Sequence, residues 1–372
     1  MATEATVNER LAAITTAGTS IWLDQIRRSM TRGGELERLV REESLRGETS
    51  NPAIFEKAIL GAEDYDEQIE QLAHEGADAR SIYQAIAIQD VQDAADVLRT
   101  VYDETDGYDG YVSLEVDPDI AFDTQRTMEQ AREYWGRVDR PNLMIKIPGT
   151  DEGLPAIEQM TYEGLNINIT LLFKVEQYEK VMEAYIRGLE RRHAEGKSLD
   201  VHSVASFFVS RVDTEVDKRL DALGAPEADR LRGRAAVANA RLAFQAFEEV
   251  LAGDAWRELS AAGVRPQRPL WASTSTKNPD YPDTRYVVEL VTRGVVNTMT
   301  ESTLDAVADH GVIPADSVRD GYGEARAVLD ELAAVGVDYD DVVAVLEDEG
   351  IAKFADSWST LSDELEGALR PR

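Results

Sequence analysis

Eight short runs of apolar, β-forming residues recur along this chain, all but the last two parted from the next by a segment with helical spacing. Runs this short and this uniformly apolar read as strands buried on both faces, the setting of a parallel sheet whose crossovers are helices. They fall at 20–24, 47–55, 110–118, 143–150, 165–173, 201–210, 268–275 and 294–299. Helical periodicity covers 7–16, 26–43, 65–71, 79–102, 122–135, 153–163, 175–194 and 211–262, the last with a break near Gly224-Ala225-Pro226. Three further helical segments close the chain. Eight βα units, with no second composition regime and no internal repeat, predict an α/β chain folded as a single (β/α)8 TIM barrel across 1–372. Such barrels need ~250 residues, so the surplus should form extra helices at about 211–262 and about 301–372. An open doubly wound sheet is the competing architecture, but no glycine-rich strand-to-helix turn supports it.

The fourth run, Leu143-Met144-Ile145-Lys146-Ile147-Pro148-Gly149-Thr150, carries one ionisable residue. A lysine in a packed interior must lose its charge or find a partner. At a ligand cavity, a desolvated amine whose pKa falls from ~10.4 towards neutrality becomes a nucleophile for carbonyls. The same residue could instead snorkel at a strand end or form half of a buried ion pair. Chemistry in such barrels sits at the C-terminal ends of strands. There the chain has Asp24, Asn51, Glu115, Lys146, Asn168 with Thr170, Ser206 and Ser275. Single residues of this kind have ordinary structural readings: Asp24 as a helix cap, Asn51 in an Asn-Pro turn, Thr170 as a plain strand residue. Converging on one mouth, they supply an amine, two carboxylates and neutral hydrogen-bonders, the set a Schiff-base aldol reaction needs.

Charge narrows the partners. With 71 acidic against 39 basic residues the formal net charge is −32, which argues against nucleic acid or an anionic membrane. Lysine is scarce, and arginine carries most of the positive charge. An acidic, lysine-poor surface suits a concentrated-salt cytoplasm, and it follows equally from a GC-rich genome that favours arginine codons. In either case an anionic substrate needs a local positive patch. No cysteine is present, so disulfides, a thiol nucleophile and thiolate metal sites are excluded. The start Met1-Ala2-Thr3-Glu4-Ala5 has no basic or apolar leader region, and no run is long enough to span a bilayer; a cytoplasmic protein is expected. The histidines His74, His193, His202 and His310 have no ligand spacing with carboxylates and read as structural or exposed.

Five motifs, in this order, carry a resemblance. They are Thr49-Ser50-Asn51-Pro52, Val112-Ser113-Leu114-Glu115-Val116-Asp117, Met144-Ile145-Lys146-Ile147-Pro148, Asn166-Ile167-Asn168-Ile169-Thr170-Leu171-Leu172-Phe173, and Ala205-Ser206-Phe207-Phe208-Val209-Ser210-Arg211-Val212-Asp213. The chain resembles, over essentially its whole length, the transaldolases, class I aldolases of the pentose phosphate pathway. Trp271-Ala272-Ser273-Thr274-Ser275-Thr276-Lys277-Asn278-Pro279 resembles the bacterial branch of about this length. The resemblance implies that Lys146 forms the Schiff base with the ketose carbonyl. It implies that Glu115 serves as acid and base through a water that Thr170 helps hold, and that Asp24 takes the proton from the C4 hydroxyl. Asn51, Asn168 and Ser206 would hold the dihydroxyacetone hydroxyls, Phe208 would line the cavity, and Arg211, Ser275 and Lys277 would receive the phosphate.

The implied reaction moves a dihydroxyacetone unit from sedoheptulose 7-phosphate to glyceraldehyde 3-phosphate. An iminium is itself an electron sink, so no metal or cofactor is expected; a monomer or homodimer is. The chain departs from the family at Lys277, an arginine in shorter transaldolases, at Phe207, where proline is common, and at Ser210, which replaces a glycine. A point charge therefore stands where a planar fork is usual. Two rival functions are a related lysine aldolase releasing free dihydroxyacetone and a silent sugar-phosphate-binding barrel. Glu115, where the simpler aldolases tend to use tyrosine, favours transfer, as does the chain's length.

Overall fold

Thr19–Leu23 (β1), Leu45–Glu48 (β2), Tyr111–Glu115 (β3), Leu143–Pro148 (β4), Ile167–Leu172 (β5), Ser203–Phe208 (β6), Arg268–Ala272 (β7) and Val295–Met299 (β8) pair in chain order, all parallel, and β8 returns to β1. The expected (β/α)8 barrel with additional helices is what the chain forms. The computed structural model describes residues 7–224 and 229–368; the opening segment Met1–Ala5, Ala225 and Pro226 of the expected break, and 369–372 at the chain's end lie outside the described residues. Apart from Arg46, every strand residue is buried. That is why the runs read as continuously apolar: one face fills the barrel and the other meets the helices.

Three segments differ most from expectation. β2 stops at Glu48, and Pro52–Leu60 is a helix, not strand. Asn51 caps it, its side chain accepting from the Ile54 N–H at 3.0 Å, with proline in the first turn where no amide hydrogen is needed. The segment 26–43 divides into Arg28–Arg32 and Glu35–Glu42, because Gly34 adopts φ 79° between them. Among the described residues, the region 211–262 includes Ser210–Leu223, Ala235–Leu251 and Asp254–Ala261, the first ending on Gly224 at φ 60°. The chain closes with Glu301–His310, Tyr322–Ala334 and a helix of 30 residues, Tyr339–Ala368. Among the described residues no helix is long and apolar enough to cross a membrane.

The barrel floor is polar. Buried Arg268 donates to Asp109 Oδ1 at 2.8 Å and Ser20 Oγ at 2.9 Å, and the Trp22 indole donates to the same carboxylate. Gly47 is required beside it, since a Cβ there would meet the Trp22 ring at 2.5 Å. Glu48 is the opposite case: it has no exposed surface, and neither carboxylate oxygen has a hydrogen-bond partner. Burial, reinforced by the Asp90 charge, pushes its pKa well above the usual carboxylate range. The folded state then binds a proton that the unfolded state has lost above ~4.3. Stability should therefore fall as pH rises from that value through the raised folded pKa. Glu48→Gln, which stays neutral, is expected to remove part of this slope, so that its melting temperature gains on the parent between pH 5 and pH 8. Parallel curves for the two proteins would show that Glu48 is not the titrating group.

Candidate active site

Register places the chemistry. Glu115 on β3 pairs with Lys146 on β4, and Lys146 with Asn168 on β5, so the three stand on one level of the barrel. The Lys146 amine is 3.0 Å from Glu115 Oε2, an ion pair by distance that lacks hydrogen-bond alignment. Its aligned bond goes to the Ser50 carbonyl at 3.0 Å. Each of the two residues is 4 % exposed, and at that burial the carboxylate must be paired or neutral. Burial pushes the Glu115 carboxyl up, and the Lys146 ammonium opposes the rise without cancelling it.

A hydrogen-bonded row fixes the neighbours. Ser206 Oγ donates to Asn168 Oδ1 at 2.8 Å, Asn168 Nδ2 to Ser113 Oγ at 2.9 Å, and Ser50 Oγ to the Ser113 carbonyl at 2.6 Å. Ser113 and Ser50 thus orient Asn168 and the acceptor of Lys146; they stand in the motifs but were given no role from sequence. Thr170 Oγ1 is buried and has no hydrogen-bond partner. The next residue, Leu171, holds φ 61° where the register between β5 and β6 slips, and Ser273 holds φ 55° after β7. Left-handed backbone at non-glycine residues costs energy and is concentrated at functional sites.

A cavity of about 220 Å³ opens over Lys146. Of the eleven residues singled out from sequence, Glu115, Asn168 and Thr170 are buried outside its lining, and the other eight line it. Asp24 accepts from Thr49 Oγ1 at 2.9 Å. The Arg211 guanidinium lies 5.1 Å from the Phe208 ring centroid, and Lys277 Nζ donates to Ser275 Oγ at 2.7 Å. Burial lowers the Arg211 pKa; burial and then the charges of Lys353 and Arg211 lower that of Lys277. Lys57 and Lys353 also line the cavity, and Phe354 stands with its ring centroid 6.0 Å from Lys146 Nζ. Sequence reasoning gave none of these three a role.

Fold and site together define a (β/α)8 barrel enzyme with a buried lysine–carboxylate pair beneath a mouth lined by cations. The chain belongs to the Transaldolase/Fructose-6-phosphate aldolase family, whose model matches residues 21–365. It is 54% identical over 356 residues to a transaldolase of Thermobifida fusca, covering 95% of this chain and 97% of that one. It is 52% identical over 364 residues to those of a Parafrankia species (98% and 99%) and of Mycobacterium tuberculosis (97% and 98%).

Proposed function

We propose that this enzyme is a transaldolase of the non-oxidative pentose phosphate pathway, working in the cytoplasm on sugar phosphates through a Schiff base on Lys146. The observation that carries the reading is the buried Lys146–Glu115 pair at 3.0 Å opening into a cavity with cations at its mouth. Burial favours the neutral carboxyl of Glu115, the form that can give a proton to a departing hydroxyl. The amine adds to C2 of sedoheptulose 7-phosphate, and loss of water through Glu115 gives the iminium. Asp24 takes the C4 hydroxyl proton as the C3–C4 bond breaks, and erythrose 4-phosphate leaves. The electron pair stays on the lysine-bound three-carbon unit as an enamine. That unit attacks the aldehyde of glyceraldehyde 3-phosphate, Asp24 returns the proton, and hydrolysis releases fructose 6-phosphate. Thr170, whose hydroxyl has no hydrogen-bond partner, helps hold the water that Glu115 activates. Asn51, Asn168 and Ser206 bind the dihydroxyacetone hydroxyls, and Arg211, Ser275 and Lys277 the phosphate.

The test runs the reaction in reverse. Fructose 6-phosphate with erythrose 4-phosphate should give sedoheptulose 7-phosphate and glyceraldehyde 3-phosphate, while fructose 6-phosphate alone should release little free dihydroxyacetone. Dihydroxyacetone as the main product in both tubes would make the protein a lyase, and no product in either would make it a binding barrel.

A further inference from the structure

The chain has eight lysines against 71 acidic residues. Five of them, Lys146, Lys174, Lys180, Lys197 and Lys218, lie within 3.1 Å of a carboxylate oxygen. On so acidic a protein that is the default, because long flexible cations find anions. The remaining three, Lys57, Lys277 and Lys353, have no ion-pair partner among the described residues, and all three line the Lys146 cavity. Arg211 is there too and is likewise unpaired among the described residues. Among the described residues the cavity wall carries a single carboxylate, Asp24. Cations that outnumber the carboxylates near them repel one another, and each of Lys277 and Lys353 is pushed below the usual lysine range by partial burial and then by its cationic neighbours. Such an arrangement is stabilised by an anion of more than one charge.

Lys353 arrives from an unexpected place. It belongs to the closing helix Tyr339–Ala368, which packs on the helices Pro52–Leu60, Ala79–Glu104 and Ser210–Leu223. Gly350, Lys353 and Phe354 are spaced i, i+3 and i+4, so they share one face of that helix. A Cβ on Gly350 would lie 3.0 Å from Leu171 and 3.6 Å from an Arg211 nitrogen. Phe354 is buried over Lys146, and Lys353 between them in sequence reaches the cavity. Lys57, from the helix capped by Asn51, lines the same cavity.

We propose that Lys353 and Lys57 are specificity-determining residues of the sugar-phosphate site, which makes the closing helix part of the active site. The proposal rests on the transaldolase reading and extends its phosphate grip from Arg211, Ser275 and Lys277 to two further cations on separate helices. They select a phosphorylated acceptor over the same sugar without phosphate.

Acceptor kinetics test this, because in a two-step transfer kcat/KM for the acceptor reports the acceptor half-reaction alone. With fructose 6-phosphate as donor, Lys353→Met should lower kcat/KM for erythrose 4-phosphate roughly tenfold, the cost of losing one charge-assisted contact. The loss with phosphate-free erythrose should be several times smaller, and Lys353→Arg should restore most of the phosphate preference. Lys57→Met, on a different helix, should act in the same direction. Inorganic phosphate should inhibit the parent competitively and the Met variants more weakly. Lys218→Met removes the same charge from an exposed, paired site and should leave the acceptor ratio where it was. Equal losses for both acceptors, or an unchanged ratio in the two cavity variants, would overturn the proposal. A parent enzyme that makes no sedoheptulose 7-phosphate would instead overturn the functional reading beneath it.

Discussion

Lys146→Arg is expected to abolish turnover, by on the order of 10⁴-fold or more, while the fold persists. Arginine keeps a positive charge beside Glu115, so the buried carboxylate is not orphaned, but a guanidinium stays protonated and cannot form the imine. The cavity makes the assignment a real contest. Four lysines line it, and two of them, Lys277 and Lys353, have pKa values lowered by burial and neighbouring cations, the usual mark of an amine nucleophile. Geometry separates them from Lys146. Though partly desolvated, they keep much of their surface in solvent, whereas Lys146 is buried, level with Asn168 and Glu115, and has a carboxylate at 3.0 Å to move its protons. Borohydride reduction in the presence of fructose 6-phosphate should therefore add the mass of a reduced three- or six-carbon adduct to the peptide containing Lys146. A tag on Lys277, Lys353 or Lys57, with none on Lys146, would sink the mechanism.

What could be read in advance follows from the range over which each feature is determined. Seven of the eight strands were legible, since burial on both faces writes a largely apolar run into the local sequence; β2, Leu45-Arg46-Gly47-Glu48, carries no such run and was met only at Gly47 and Glu48. Lys146 was legible for the same reason: one charge stands out in such a run. Asn51-Pro52 misled because an Asn-Pro pair serves equally as a turn or as a cap followed by the first helical residue. Ser113 and Ser50 look like neutral filler until register sets them beside Asn168 and Lys146. Lys57 did leave a trace. Its helical neighbours at three and four residues are Ala53, Ile54, Leu60 and Gly61, none able to pair with it. Lys353 left none, for Glu349 and Asp356 stand at those spacings and make it look like an ordinary surface lysine. Only the packing of the last helix across the barrel mouth turns it towards the substrate cavity, and that is decided by residues nearly three hundred positions apart, as with Lys57.

Asp24→Ala and Glu115→Gln should fail at different steps, though each is expected to lose about 10²–10⁴-fold in turnover, the range for a general acid or base. Asp24 is partly exposed on the cavity wall and accepts from Thr49 Oγ1 at 2.9 Å. It is placed for a substrate hydroxyl but is not the partner of the lysine. Without it the ketose should still condense with Lys146, and the C3–C4 bond should then hold, so the trapped six-carbon adduct accumulates. Glu115 is buried against the amine itself. Its loss should slow dehydration of the carbinolamine and hydrolysis of the product imine alike, so trapping becomes slow and never reaches the Asp24→Ala level at short times. A glutamine there also removes a carboxyl that burial holds above its usual range. The rate of adduct formation in Glu115→Gln should consequently lose the part of its pH dependence that the Glu115–Lys146 pair supplies, whereas Asp24→Ala should keep it. Quenching with borohydride at a series of times and pH values, followed by intact mass, reads both differences in one experiment. Equal trapping rates and parallel pH profiles for the two variants would mean that the carboxylates share one task, and the division of labour drawn from their settings would have to be abandoned.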